Sequence, residues 1–319
     1  MNTRSLGSTG PQVGALGLGC MGMSPPDGPD GRSMSIATIH AALDAGVTLI
    51  DTGDFYGMGH NEMLIGEALR TAPAELREKA VTSVKFGVLR DAEGGWRGND
   101  GRPAAVKNFA AYSLQRLGVD HIDIYRLARL DPNVPIEDTV GAIAELVTKG
   151  QVRHIGLSEV DADTIRRAAA VAPICDVQIE YSLLKRGMEE TIQSTTRELG
   201  IGITAYRVLA HGLVPGRSAT HRPGRHHRAW APSPADDEQR NRDVIDTVRK
   251  IAEQSGISVV QLAIAWTLSR GQDIVSLIGA RTPERLSEAL GALTVTLGES
   301  DLAAIERITS HATAGDRKQ

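Results

Sequence analysis

The chain has only two cysteines, Cys20 and Cys175, in 319 residues; they are too few and too far apart for a disulfide framework or a cysteine-rich metal cluster. Aromatic residues are also scarce: three Trp, five Tyr and three Phe supply no base-stacking platform. Thirty-five basic residues stand against 39 acidic ones, a net charge of −4 without the basic footprint of a nucleic-acid binder. No run of 18 apolar residues occurs, so no transmembrane helix is expected. The opening residues, MNTRSLGSTG, lack the apolar core of a secretory signal. These absences predict a cytoplasmic protein with neither a nucleic-acid nor a membrane partner. What remains is globular: 41% of the residues are apolar, enough at this length to bury a sizeable core. Only seven of the 35 basic residues are lysines, so a lysine closing an apolar run is conspicuous.

Short apolar, β-branched runs alternate with segments of helical period. Strands are expected at Leu16–Cys20, Thr48–Thr52, Ala80–Lys85, Ile122–Ala128, His154–Ser158, Val177–Tyr181, Gly202–Arg207 and Val275–Ala280. Helices are expected at Ile36–Ala45, Asn61–Arg70, Pro103–Leu117, Ile136–Thr148, Asp163–Val171 and Glu189–Leu199, with two more between Asn241 and Ser269. Gly14, Gly17 and Gly19, in VGALGLGCMG, have the wrong spacing for a dinucleotide loop and no helix follows them; a hairpin closing the barrel floor is expected there. Eight βα units over this length predict an α/β fold, a (β/α)8 TIM barrel spanning 1–319 as one domain with rim loops. Three segments fall on the functional rim: Met23–Gly31, Gly87–Arg102 and Arg217–Arg242. The last is rich in Pro, Gly and Arg, and reads either as a solvated loop or as a flap over an anionic cofactor through Arg217, Arg222, Arg225 or Arg228. His221, His226 and His227 have no carboxylate or cysteine at ligand spacing, and no metal is expected.

In such a barrel the chemistry lies at the strand C-termini. Strand two ends in Asp51, within LIDTGDFYG, and strand three in Lys85, within VTSVKFG. An acid and a lysine at neighbouring strand ends can pair, and Tyr56, on the loop after Asp51, can lean over the same point. A lysine cation beside a phenol favours the phenolate and predicts a lowered Tyr56 pKa. Such a tyrosine can donate a proton to a carbonyl oxygen and recover it in reverse. Spacing alone equally describes a structural Asp–Lys bridge beneath an incidental tyrosine.

Longer blocks carry a resemblance. LGSTGPQVGALGLGCMGMS, DTGDFYGMGHNEMLIGEAL, VTSVK, DPNVPIEDTVGAIAELVTKGQVRHIGLSEV, QIEYSLL, RELGIGITAY and GARTPERLSEAL make the chain similar to the aldo-keto reductases nearly end to end. The resemblance implies an oxidoreductase barrel binding extended NADPH, with Tyr56 as proton donor, Lys85 tuning it and Asp51 holding Lys85. One departure matters. The family's strand-four histidine, in a block like YxxHRxD, is here Ala128. Losing such a donor typically costs roughly 10²–10³ in rate. Arg126, two residues earlier on the same face, either replaces it or is a buried partner for an acid below the mouth. Ala128 also widens the pocket, and Trp96 offers it an apolar wall.

By position, the resemblance assigns Ser158, Glu159 and Gln178 to the nicotinamide carboxamide and Tyr206 to its ring face, with Arg207 beside it. Ala210, Gly212, Leu213, Gly216 and Arg217 would line the pyrophosphate. Arg281 and Arg285, i and i+4 at a helix start after Gly279, suit a 2′-phosphate, and Glu288 approaches the adenine. Gly22 and Met23 reach the rim after strand one. The expected function is NADPH-dependent reduction of an aldehyde or ketone, with a bulky or cyclic carbonyl such as a pyridoxal-like or natural-product ketone in view. The alternative is an NADPH-binding redox sensor or regulatory subunit with slow residual activity.

Overall fold

Alternating Val, Ile and Leu runs that are apolar on both faces can be satisfied only where both faces are covered, as in a closed parallel sheet wrapped by helices. The structure, a computed structural model, describes residues 2–24, 30–210 and 235–309. Strands β1 (Thr3–Ser5) and β2 (Gln12–Gly14) form an antiparallel hairpin. Eight parallel strands then close a barrel in chain order: β3 (Leu16–Gly19), β4 (Leu49–Gly53), β5 (Val81–Phe86), β8 (Ile122–Leu127), β9 (Val152–Ser158), β10 (Ile174–Glu180), β11 (Gly202–Tyr206) and β12 (Ile274–Ile278). The expected (β/α)8 barrel is the observed one.

The hairpin forms the floor: Leu6 and Val13 are buried against Leu49, Ile124, Cys175, Val275 and Leu277. Gly17 and Gly19, expected in that hairpin, lie instead within β3, where a Cβ on Gly17 would strike the Leu277 side chain at 2.7 Å. Outside the barrel run α1 (Gly31–Asp44), α2 (His60–Thr71), α3 (Ala74–Arg77), α4 (Pro103–Leu117), α5 (Ile136–Thr148), α6 (Ala162–Val171), α7 (Ile192–Leu199), α8 (Ala235–Gln254), α9 (Val259–Ser269), α10 (Pro283–Leu290) and α11 (Glu299–Thr309). Their starts follow local chemistry. Asp161 caps α6 by accepting from the Thr164 amide at 2.8 Å, and Ser258 with Gln261 forms a reciprocal capping box on α9. Among the described residues no helix is long and apolar enough to cross a membrane.

Two expectations change at the rim. The Gly87–Arg102 segment is not an irregular loop: it carries a hairpin of β6 (Val88–Arg90) and β7 (Trp96–Asn99). The Arg217–Arg242 segment ends in helix, because α8 already begins at Ala235; its earlier part lies outside the described residues.

Candidate active site

Strand register brings the polar residues together. Asp51 on β4 pairs with Ser83 on β5; Lys85 pairs with Arg126 on β8; Arg126 and Asp176 both pair with Gly156. Inward-facing side chains at these positions form one buried layer beneath the barrel mouth. Asp51 is its hub. Its Oδ1 accepts from Ser83 Oγ at 2.8 Å, Arg126 Nη1 at 3.0 Å and Gln178 Nε2 at 2.9 Å, while its Oδ2 accepts from the Lys85 ammonium. Arg126 Nη2 makes a bidentate pair with Asp176 at 2.7 and 2.8 Å, and Asp176 also accepts from Thr204 Oγ1. Two acids and two bases thus compensate each other in a buried layer. Gly156 is required for this: a Cβ there would lie 2.6 Å from Asp176 Oδ1 and 2.9 Å from Arg126 Nε.

This arrangement corrects one expectation. Arg126 does not line a substrate pocket or replace the missing histidine. It is fully buried, and its hydrogen bonds go to Asp51, Ser83 and Asp176. Burial opposes its charge, but Asp176 and Asp51 outweigh burial and raise its pKa. Ala128 follows β8 and is buried, with its amide donating to the Phe86 carbonyl at 2.9 Å.

Tyr56 lies over the layer. Lys85 Nζ is 5.2 Å from its ring centroid, and Phe55 meets the ring edge-on at 4.8 Å. The expected lowering of the Tyr56 pKa is not found. Burial, the Asp51 charge and Tyr206 raise it far above the phenol range, against weaker opposition from Arg129 and Arg207. Lys85 is paired with Asp51, and burial lowers the Lys85 pKa despite that partner. Tyr56 is therefore held as the neutral, proton-bearing phenol.

The turn carrying Tyr56 is built by residues that sequence reading passed over. Gly57, Met58 and Gly59 have φ of 56°, 56° and 89°, and a Cβ on Gly59 would lie 2.8 Å from the Arg116 guanidinium. Buried Asn61 donates to the Cys20 carbonyl and to Ser24 Oγ, both at 2.9 Å, and accepts from Thr52 Oγ1 at 2.7 Å. It ties the turn to strands β3 and β4. Beneath the turn, Glu62 is fully buried against Arg116 at 3.0 Å. Asp54 is buried with neither carboxyl oxygen hydrogen-bonded, and burial with the Glu62 charge pushes its pKa up to about 8. All lie within DTGDFYGMGHNEMLIGEAL, but a buried Asp or Asn in a helix-start pattern gives no sequence signal of its own.

The expected cofactor residues divide into three groups. Ser158 and Gln178 are buried at the ends of β9 and β10, with the Gln178 amide nitrogen committed to Asp51. Glu159 accepts from the Glu180 amide at 2.8 Å, and half-buried Tyr206 ends β11 with the Arg207 guanidinium 5.5 Å from its ring centroid. At the far side Arg281, Arg285 and Glu288 are exposed on and just before α10, whose first turn is capped by Thr282. Gly22 lies beside Arg281: a Cβ there would be 3.1 Å from Arg281 Nε. Met23 is corrected: its side chain packs in the core, not at the rim. Trp96 is exposed on β7 with its Nε1 bonded to the Gly98 carbonyl. Gly212, Leu213, Gly216 and Arg217 lie outside the described residues.

Four described non-glycine residues have positive φ: Met58, Glu159, Arg207 and Ala210. All follow the C-terminal end of a barrel strand. Such backbone strain, concentrated on one rim, is a feature of binding and catalytic sites.

A parallel barrel with a buried acid–lysine pair under a protonated tyrosine defines a class of proton-handling enzyme barrel. Comparison with known proteins is in accord. The model of the aldo/keto reductase family matches residues 15–310. "Probable aldo-keto reductase 1" of Glycine max is 38% identical over 300 residues, covering 93% of this chain and 86% of that one. The glycerol dehydrogenase structure from Gluconobacter oxydans superposes with a TM-score of 0.85 at 27% identity, over 97% of this chain and 95% of that one. A thermostable aldo-keto reductase solved with the inhibitor epalrestat superposes with a TM-score of 0.78 at 26% identity, over 97% and 100%. The chain belongs to the aldo/keto reductase family and is an oxidoreductase of carbonyl compounds.

Proposed function

We propose that the protein is an NADPH-dependent reductase of aldehydes or ketones, with Tyr56 as the proton donor. The observation that carries this is the Tyr56 ring over the buried Asp51–Lys85 pair at the rim where backbone strain is concentrated. The residues present fit a nicotinamide dinucleotide. Gly279, just past β12, would point a Cβ into open space, with no atom within 4 Å, as a cradle for a bound group requires. The capped α10 N-terminus with exposed Arg281 and Arg285 suits a phosphate dianion, and Tyr206 presents an aromatic face. Ser158 and Glu159 would orient the carboxamide; Ala210, Gly279, Arg207 and Gly22 would line the groove, with Glu288 toward the base.

When bound, the nicotinamide supplies the hydride. Tyr56 gives its proton from the phenol oxygen to the carbonyl oxygen as negative charge develops there. Lys85, 5.2 Å from the ring centroid, then stabilises the phenolate left behind, and Asp51 holds Lys85 in place. Asp51 itself is fixed by Ser83, Arg126 and Gln178, so the base of the relay does not reorganise. Ala128 is smaller than the histidine the family gives to this position, a change that suits a bulky or cyclic carbonyl compound. The test is steady-state oxidation of NADPH against a panel of aromatic aldehydes, dicarbonyls, pyridoxal and cyclic ketones. Repeated turnover with at least one compound supports the reading. Tight NADPH binding with no turnover and very slow release would replace it with a sensor.

A further inference from the structure

We propose that Arg129 binds an anionic substituent of the substrate, so that this site favours carbonyl compounds bearing a carboxylate. The proposal rests on the reductase reading above and adds the substrate class to it. Four other cations around the mouth are matched by acids. Lys85 is taken by Asp51, Arg126 by Asp51 and Asp176, Arg116 by Glu62, and Arg207 by Glu180 at 3.0 Å. Arg129 has no acidic partner among the described residues. Its Nη1 donates to the Ala128 carbonyl at 2.6 Å and its Nη2 approaches the Tyr206 hydroxyl at 3.5 Å.

Position and chemistry then agree. Arg129 follows β8 immediately after Ala128, is exposed, and leans toward the aromatic that ends β11. Its charge acts on both the Tyr56 and the Tyr206 hydroxyls, which places it within electrostatic reach of the reacting end of the site. A guanidinium has five N–H donors, and these two contacts leave most of them unused in a fork that matches a carboxylate. The buried layer beneath is already neutral, so the Arg129 charge at this rim is not spent on it. An anion beside the carbonyl meets an attraction there that a neutral analogue does not. The absent strand-four histidine leaves Arg129 as the strand-four side chain that faces solvent at this rim, since Arg126 is sealed below.

The experiment compares 4-carboxybenzaldehyde with methyl 4-formylbenzoate, matched in ring and aldehyde but not in charge. The readout is the ratio of their kcat/KM values with NADPH in the wild type, Arg129→Gln and Arg129→Lys. The expected result is a wild-type ratio favouring the acid, lost on the order of ten- to a hundredfold in Arg129→Gln through KM, and partly kept in Arg129→Lys. Raising the ionic strength should shrink the ratio in the wild type and not in Arg129→Gln. A wild-type ratio near one, or a ratio unchanged in Arg129→Gln, overturns the proposal while leaving the reductase reading in place. A fall of equal size for both compounds also overturns it, by assigning Arg129 to the carbonyl oxygen or to the fold. Turnover of neither compound, nor of any carbonyl in the wider panel, removes the reductase reading and the proposal together.

Discussion

Asp54→Asn should stabilise the protein at neutral and alkaline pH and flatten its stability profile. Asp54 sits beneath the Tyr56 turn with both carboxyl oxygens buried and unbonded. Glu62 from α2 adds negative charge, the Tyr125 phenol from β8 lies within its electrostatic reach, and the Arg116 charge from α4 only partly offsets burial. The folded protein therefore holds the Asp54 proton up to about pH 8, whereas the unfolded chain releases it near 3.8. Between these values the folded state binds more protons, so stability must fall as pH rises, by about 1.4 kcal/mol per pH unit from this group. From pH 5 to pH 8 the loss is about 3–4 kcal/mol, absent in the neutral isostere. Denaturant midpoints at pH 5, 6, 7 and 8 would measure it. If the wild-type and Asp54→Asn profiles run parallel, Asp54 is not a buried neutral acid in the folded protein and the reasoning fails.

The Arg126 layer makes a separate prediction: Arg126→Met strands Asp51 and Asp176 without their shared cation and should cost about 3–5 kcal/mol in a urea titration. Gly59→Ala places a Cβ at φ 89° and 2.8 Å from the Arg116 guanidinium. It should lose about 1–3 kcal/mol of thermal stability and lower kcat by displacing Tyr56. Arg281→Ala should weaken NADPH by roughly ten- to a hundredfold, and NADH far less, in fluorescence titrations. Equal losses for both nucleotides would remove the 2′-phosphate assignment.

The barrel was legible in the sequence because its strands are buried on both faces and its helices carry explicit stops and starts. Pro103–Leu117 and Ile136–Thr148 are observed at the expected limits, the first bounded by Pro103 and by Gly118 at φ 67°. Boundaries slipped where pairing rather than composition decides: β10 begins at Ile174, ahead of Val177, because Ile174 and Asp176 pair with β9. The side chains at the strand ends were also legible, as polar groups closing apolar runs. Their partners were not. Asp176 sits inside an apolar strand, and only the register opposite Gly156 shows why Arg126 turns down to meet it. The direction of the Tyr56 pKa is set first by burial and then by the Asp51 charge and Tyr206, and spacing along the chain shows none of these.

The central claim is that a protonated Tyr56 drives carbonyl reduction without a strand-four histidine. The most direct test is turnover of NADPH by wild type and Tyr56→Phe with the best carbonyl compound of the panel, alongside nucleotide affinity for both. The account predicts repeated turnover in the wild type and a fall in kcat on the order of 10²-fold or more in Tyr56→Phe, with NADPH binding unchanged. Undiminished turnover by Tyr56→Phe would contradict it and place the proton donor elsewhere.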